Sequence, residues 1–83
     1  MYRIKLTSQA KRELKNLKTI HKEALGEILE EIKENPLIGK QLTRELTGRL
    51  SYKVSVYRII YITNDKDKII TVLTIGNRSR IYK

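Results

Sequence analysis

A chain of 83 residues supports one domain, and a domain of that size buries only roughly 60 to 65% of its unfolded surface. It contains no cysteine, which excludes disulfides and Cys-ligated metals as reinforcement. Lys and Arg number 18 against 9 Asp and Glu, a net +9 with a pI near 10.0, so anionic partners are favoured. The opening stretch MYRIKLTSQAKREL lacks the apolar core of a signal peptide. No apolar run approaches the ~20 residues of a membrane span. These features predict a cytoplasmic protein with no membrane partner.

Tyr2, Ile4 and Leu6 alternate with Arg3 and Lys5, the period of a half-buried strand. Thr7 and Ser8 offer N-cap side chains. Ala10, Leu14 and Leu17 then mark one face of a short helix. A second helix is predicted from about Thr19 to Glu34, with Leu25, Ile28, Leu29 and Ile32 as its apolar stripe. Glu27, Glu30, Glu31 and Glu34 lie outside that stripe and would make partners four residues apart for Lys22 and Lys33. Asn35-Pro36 ends the helix, because a residue before proline avoids the helical region. Residues 37 to 48 read as a connector with little period, in which Leu42 and Leu46 would pack.

Three strands follow, at Gly48 to Val54, Tyr57 to Thr63 and Lys68 to Ile75, with a turn at Asn64 to Asp67 before the third. The order β-α-α-β-β-β predicts an α+β fold, with two N-terminal helices on one face of a mainly antiparallel four-stranded sheet. A two-residue loop at Ser55-Val56 would place Lys53 opposite Arg58. Like charges across a strand pair repel. One face of the hairpin would hold Leu50, Tyr52, Val54, Tyr57, Ile59 and Tyr61 and meet the helices. The other would hold Ser51, Lys53, Arg58, Ile60 and Ile62.

Phosphate-loop and dinucleotide-loop glycine patterns are absent from the sequence. His21, the single histidine, has no cysteine to share a metal with and reads as a solvated surface residue. What stands out is the basic set Lys53, Arg58, Arg78 and Arg80, with Tyr82 nearby in sequence. Arginine grips phosphate through paired hydrogen bonds, a lysine among cations can act as a base, and tyrosine stacks on a nucleobase. Such a set could bind an acidic protein, bind RNA, or cut RNA. Equally, Arg78 and Arg80 could form a basic tail and Tyr82 could close the core.

The string LTGRLSYKVSVYRIIYITNDKDKIITVLTIGNRSRIY resembles the RelE/ParE superfamily of small toxins from toxin–antitoxin pairs. Leu46, Gly48, Tyr52, Lys53, Val54, Tyr57, Arg58, Ile59, Ile60, Tyr61, Ile75, Gly76, Arg78 and Tyr82 match its pattern. The N-terminal strand, the helix pair and the Asn-Pro stop fit as well. The RelE-like branch implies a ribosome-dependent mRNA endonuclease acting in the A site without metal or small-molecule cofactor. It also implies a cognate acidic antitoxin as partner. By position, Lys53 matches a lysine that assists nucleophile activation, and Arg58 and Arg78 match arginines that hold the scissile phosphate. Tyr82 matches a tyrosine that stacks and orients the RNA. Arg80 is auxiliary. Ser55 stands where some relatives carry a second basic residue and Asn77 where others carry histidine, and both are assigned to RNA binding. The ParE-like branch shares the fold but poisons DNA gyrase and generally lacks the catalytic set.

Overall fold

The computed structural model describes residues 2–42, 48–54 and 57–77. Strand β1 (Arg3–Leu6) leads into helix α1 (Ser8–Lys15) and helix α2 (Thr19–Glu34). Strands β2 (Lys40–Gln41), β3 (Leu50–Val54), β4 (Tyr57–Asn64) and β5 (Ile69–Asn77) follow. They form one five-stranded sheet in the order β1-β5-β4-β3-β2. Every neighbouring pair is antiparallel except β1 with β5, which is parallel. The expected α+β architecture is present, with one more strand than the sequence predicted. The extra strand, β2, is two residues taken from the apparent connector, and Lys40 and Gln41 pair with Ser51 and Leu50. Two residues are too short to show a period, so only the pairing reveals them. Leu42 is half-buried, whereas Leu46 lies outside the described residues.

Local chemistry explains the element ends. The Thr7 hydroxyl caps α1 by accepting the Ala10 N–H at 3.0 Å and donates to the Leu73 carbonyl at 2.9 Å. One side chain thus satisfies an orphan donor of the helix and ties the helix to the sheet. Helix α2 has Lys18 at its N-cap with no side-chain cap, and it stops at Asn35 before Pro36 as expected. Its ion pair runs from Lys33 to Glu30 at 3.4 Å, three residues apart rather than four. The β4–β5 turn is closed by Asn64, whose side chain accepts the Asp67 N–H and donates to the Asp67 carboxylate. That turn reaches one residue further than the sequence suggested, to Lys68, which sits at φ 56°.

Ala10, Leu25, Ile32, Leu50, Ile59, Tyr61, Ile70, Val72 and Ile75 form the core. Leu14, Leu17, Ile28, Leu29 and Tyr52 pack against it, so the helical stripes and the apolar hairpin face meet as expected. Tyr61 is fully buried, yet its hydroxyl donates to the Pro36 carbonyl at 2.9 Å and accepts the Gly39 N–H at 3.0 Å. Burial raises its pKa, and the Gly39 N–H opposes that rise. These two bonds hold the segment after α2 against β4, where it can run into β2. Gly39 is required there by space: an added Cβ would lie 2.6 Å from the Tyr61 hydroxyl and 3.1 Å from the Ser51 carbonyl.

Gly39→Ala should therefore destabilise the fold by about 1–3 kcal/mol. In a Tyr61→Phe background the cost should shrink, because the nearest clashing atom is gone. Urea denaturation of the two single variants and the double variant measures this coupling. Strict additivity would show that the Tyr61 hydroxyl is not what excludes a side chain at 39.

Candidate functional site

Strand pleating sorts the side chains of the sheet. Ile59 and Ile75 are register partners and both enter the core, so their neighbours Arg58 and Gly76, also partners, belong to the opposite face. Lys53 pairs with Arg58 and Val54 with Tyr57, so the expected hairpin register is present. The like-charged pair stands in one row with Gly76. The next row is Ser51, Ile60 and Thr74. A register shift follows between Ile60 and Tyr61.

The open face extends to both edges. Arg3 and Lys5 pair with Ile69 and Thr71, while Ile4 and Leu6 turn to the core. Lys40 pairs with Ser51 at the other edge. Among the described residues, the five strands carry Arg3, Lys5, Lys40, Lys53 and Arg58, and no carboxylate. All five cations fall on the open face. Ser51 and Ile60 are buried on that same face, and Ile62 is partly exposed toward its apolar end. The Arg58 Nη1 lies 3.5 Å from the Ser51 Oγ, and its Nε is buried. Arg58 is thus laid down on the sheet with its stem covered, while Lys53 stands exposed beside it. Such a row can meet a phosphate with one planar fork and one mobile point charge.

The expected site residues divide by what the structure describes. Lys53 and Arg58 are brought together. Asn77 ends β5 with its backbone opposite Tyr57, on the row beyond Gly76. Ser55, Arg78, Arg80 and Tyr82 lie outside the described residues. His21 departs from the expectation of a solvated residue. It is half-buried and meets Tyr57 edge-on, with ring centroids 4.9 Å apart and planes at 61°. Tyr57 belongs to the helix side of the sheet, so this histidine is on the opposite side from the basic row. Glu13 was missed by the sequence reading altogether. Its carboxylate accepts from the Thr74 hydroxyl at 2.8 Å and from the Ile75 N–H at 3.1 Å. The one available signal was its place bordering the Ala10-Leu14-Leu17 stripe, where a charge is unusual without a partner.

Among known proteins, the model of the family described as the ParE toxin of the type II toxin–antitoxin system, parDE, matches residues 4–82. The chain belongs to the RelE/ParE superfamily of type II toxins. The toxin is 31% identical to Toxin RelG of Mycobacterium tuberculosis (strain ATCC 25618 / H37Rv) over 84 residues, spanning 99% of this chain and 97% of RelG. It superposes on a chain of the toxin–antitoxin complex RelBE2 from Mycobacterium tuberculosis with TM-score 0.85 and 30% identity, covering 93% of this chain and 98% of that one. The archaeal RelE–RelB complex from Pyrococcus horikoshii OT3 gives TM-score 0.79 and 28% identity, covering 95% and 97%. The isolated RelE toxin of E. coli gives TM-score 0.81 and 27% identity, covering 99% and 92%.

The toxin carries its Lys53–Arg58 pair at a cost in stability. Lys53→Glu converts a repulsive cross-strand pair into an attractive one and should stabilise the isolated toxin by about 0.2–1 kcal/mol. Thermal melts at low and high salt check this: the gain should fall as salt screens it. A loss of stability at low salt would mean that the two side chains do not repel.

Proposed function

We propose that this toxin is a ribosome-dependent mRNA endonuclease that inhibits translation from the A site of the ribosome. The observation that carries the reading is the Lys53–Arg58 row on a sheet face whose described strands hold five cations and no carboxylate. Similarity to RelG and to RelE toxins supports the same reading.

The reaction class follows from the residues. RNA supplies its own nucleophile, the 2′-hydroxyl. That oxygen loses its proton and attacks the adjacent phosphorus, the bond to the 5′-oxygen breaks, and the leaving oxygen takes a proton. The products are a 2′,3′-cyclic phosphate and a free 5′-hydroxyl. Lys53 assists removal of the 2′-proton, and Arg58 and Arg78 stabilise the extra negative charge of the phosphorane. Arg78 also serves the leaving oxygen. Tyr82 stacks on and orients the RNA, and Ser55, Asn77 and Arg80 are assigned to RNA binding. Cations meet the charge of the transition state, so the scheme calls for neither metal nor cofactor. A ribosomal substrate places the toxin in the cytoplasm.

Lys53→Ala, Arg58→Ala and Arg78→Ala should each lower cleavage of translated mRNA about 10²- to 10³-fold. Primer extension on mRNA after toxin induction reads this directly. Full cleavage by all three variants would remove the catalytic assignment. A second reading, a gyrase inhibitor without nuclease activity, is favoured by the match to the ParE family model. It requires double-strand DNA breaks with intact mRNA in the same cells.

A cognate antitoxin, acidic where it meets the toxin, completes the proposal. The RelBE2 and archaeal RelE–RelB complexes support it. Charge complementarity to the +9 chain supports an acidic contact segment. An antitoxin at 100 times its Kd should stabilise the toxin by about 2.7 kcal/mol. Each kcal/mol should raise Tm by about 4–8 °C in a domain this small. A Tm unmoved by saturating antitoxin would contradict the pairing.

A further inference from the structure

Strand β1 ends before β5 does. Its register with β5 stops at Leu6 opposite Val72, while β5 runs on to Asn77. The outer edge of β5 beyond Val72 would then expose backbone groups without a strand to receive them. Helix α1 takes the place of that strand. The Thr7 N–H donates to the Val72 carbonyl at 3.1 Å, and the Thr7 hydroxyl donates to the Leu73 carbonyl. Glu13 then accepts the Ile75 N–H at 3.1 Å, and the Thr74 hydroxyl lies 2.8 and 3.0 Å from its two oxygens. Gln9, one turn earlier on α1, donates to the Thr74 hydroxyl at 3.3 Å. Glu13 therefore acts as an artificial strand residue, fixing β5 one position before Gly76.

Gly76 shares the row of Arg58 and Lys53, and Arg78 follows two residues later. We propose that Glu13 is a positioning residue for RNA cleavage, anchoring the end of β5 so that the Gly76 backbone keeps its place in the row beside Arg58 and Lys53. This rests on the nuclease reading. The carboxylate touches no substrate. Its effect passes through the backbone at Ile75, and a shift of about 1 Å at a reacting group costs up to about 100-fold in rate. A carboxylate suits that role because it is a strong acceptor of backbone N–H, and its charge-assisted bonds are short and directional. It is also the one acid between residues 11 and 22, a stretch with Lys11, Arg12, Lys15, Lys18 and Lys22.

The test compares wild type, Glu13→Ala and Glu13→Gln by single-turnover cleavage on programmed ribosomes and by amide hydrogen exchange. Gln keeps an oxygen that can accept the Ile75 N–H. Glu13→Ala should lower kcat about 10- to 100-fold with KM changed less than about threefold, and Glu13→Gln should restore the rate to within about threefold of wild type. In Glu13→Ala, exchange should accelerate at Ile75, Gly76 and Asn77 relative to the amides of α2. Equal acceleration throughout the molecule, with no rescue by Gln, would reduce Glu13 to a general structural residue and overturn the proposal. So would an Ala variant that cleaves at the wild-type rate. If wild type itself leaves mRNA intact, the nuclease reading fails and takes the positioning role with it. A cleaving wild type with a fully active Ala variant overturns the positioning role alone.

Discussion

Alternate side chains of a strand leave on opposite faces, so burying Leu50, Ile59 and Ile75 against two helices commits Ser51, Arg58 and Gly76 to the other side. A slip of one residue between β3 and β4 would bring Arg58 or Lys53 into the core, where a charge without a partner costs several kcal/mol. The apolar face therefore enforces the cationic row. This decides the contest between packing and repulsion at Lys53 and Arg58. The cross-strand repulsion is worth at most about 1 kcal/mol, whereas each large side chain buried in the same hairpin contributes about 1.5–3 kcal/mol. Packing wins, and the two cations stay side by side. In a small domain with a total margin of about 5–15 kcal/mol, the cost is still felt.

Tyr61 extends that constraint beyond the hairpin. Its ring belongs to the core, and its hydroxyl reaches past the core to the segment between α2 and β2. A phenylalanine would fill the same volume but leave the Gly39 N–H without its acceptor. The segment that closes the sheet edge at β2 is therefore tied to the strand that carries Arg58. Loop, edge and basic row share one anchor.

Local periodicity carried much of this fold into the sequence. The bounds of α2, the Thr7 cap, the stop at Asn35-Pro36 and the hairpin register are all set by residues close together in the chain, and all were legible. What was hidden depends on distant partners. Lys40 and Gln41 become a strand because Leu50 and Ser51 receive them. Arg3 to Leu6 could be read as a strand, but nothing local says that β5 will take it in parallel. His21 looked solvated because Tyr57, its ring partner, is 36 positions away on β4. Of the site, Lys53 and Arg58 were legible through the two-residue period. Glu13 was not, because its partners Thr74 and Ile75 are more than 60 residues distant. Ser55, Arg78, Arg80 and Tyr82 fall outside the described residues, and their roles rest on the proposed mechanism.

Charge is segregated by element as well as by face. The charged residues of the described strands are all cations, and α1 with the start of α2 adds Lys11, Arg12, Lys15, Lys18 and Lys22 against the single acid Glu13. The carboxylates Glu23, Glu27, Glu30, Glu31 and Glu34 occupy the rest of α2, all exposed. Because the helices cover one face of the sheet, this acidic stretch is turned away from the basic row. A polyanion approaching at random meets attraction over the open face and repulsion over α2. Its long-range field therefore favours arrival at the row that carries Lys53 and Arg58, before any contact forms. That bias acts over about 8–10 Å at moderate salt, the Debye length. Burying the acids in a core would have been costly, and placing them on the strands would have cancelled the field. Keeping most of them on the solvent side of α2 leaves the described strands of the open face with cations and no carboxylate of their own.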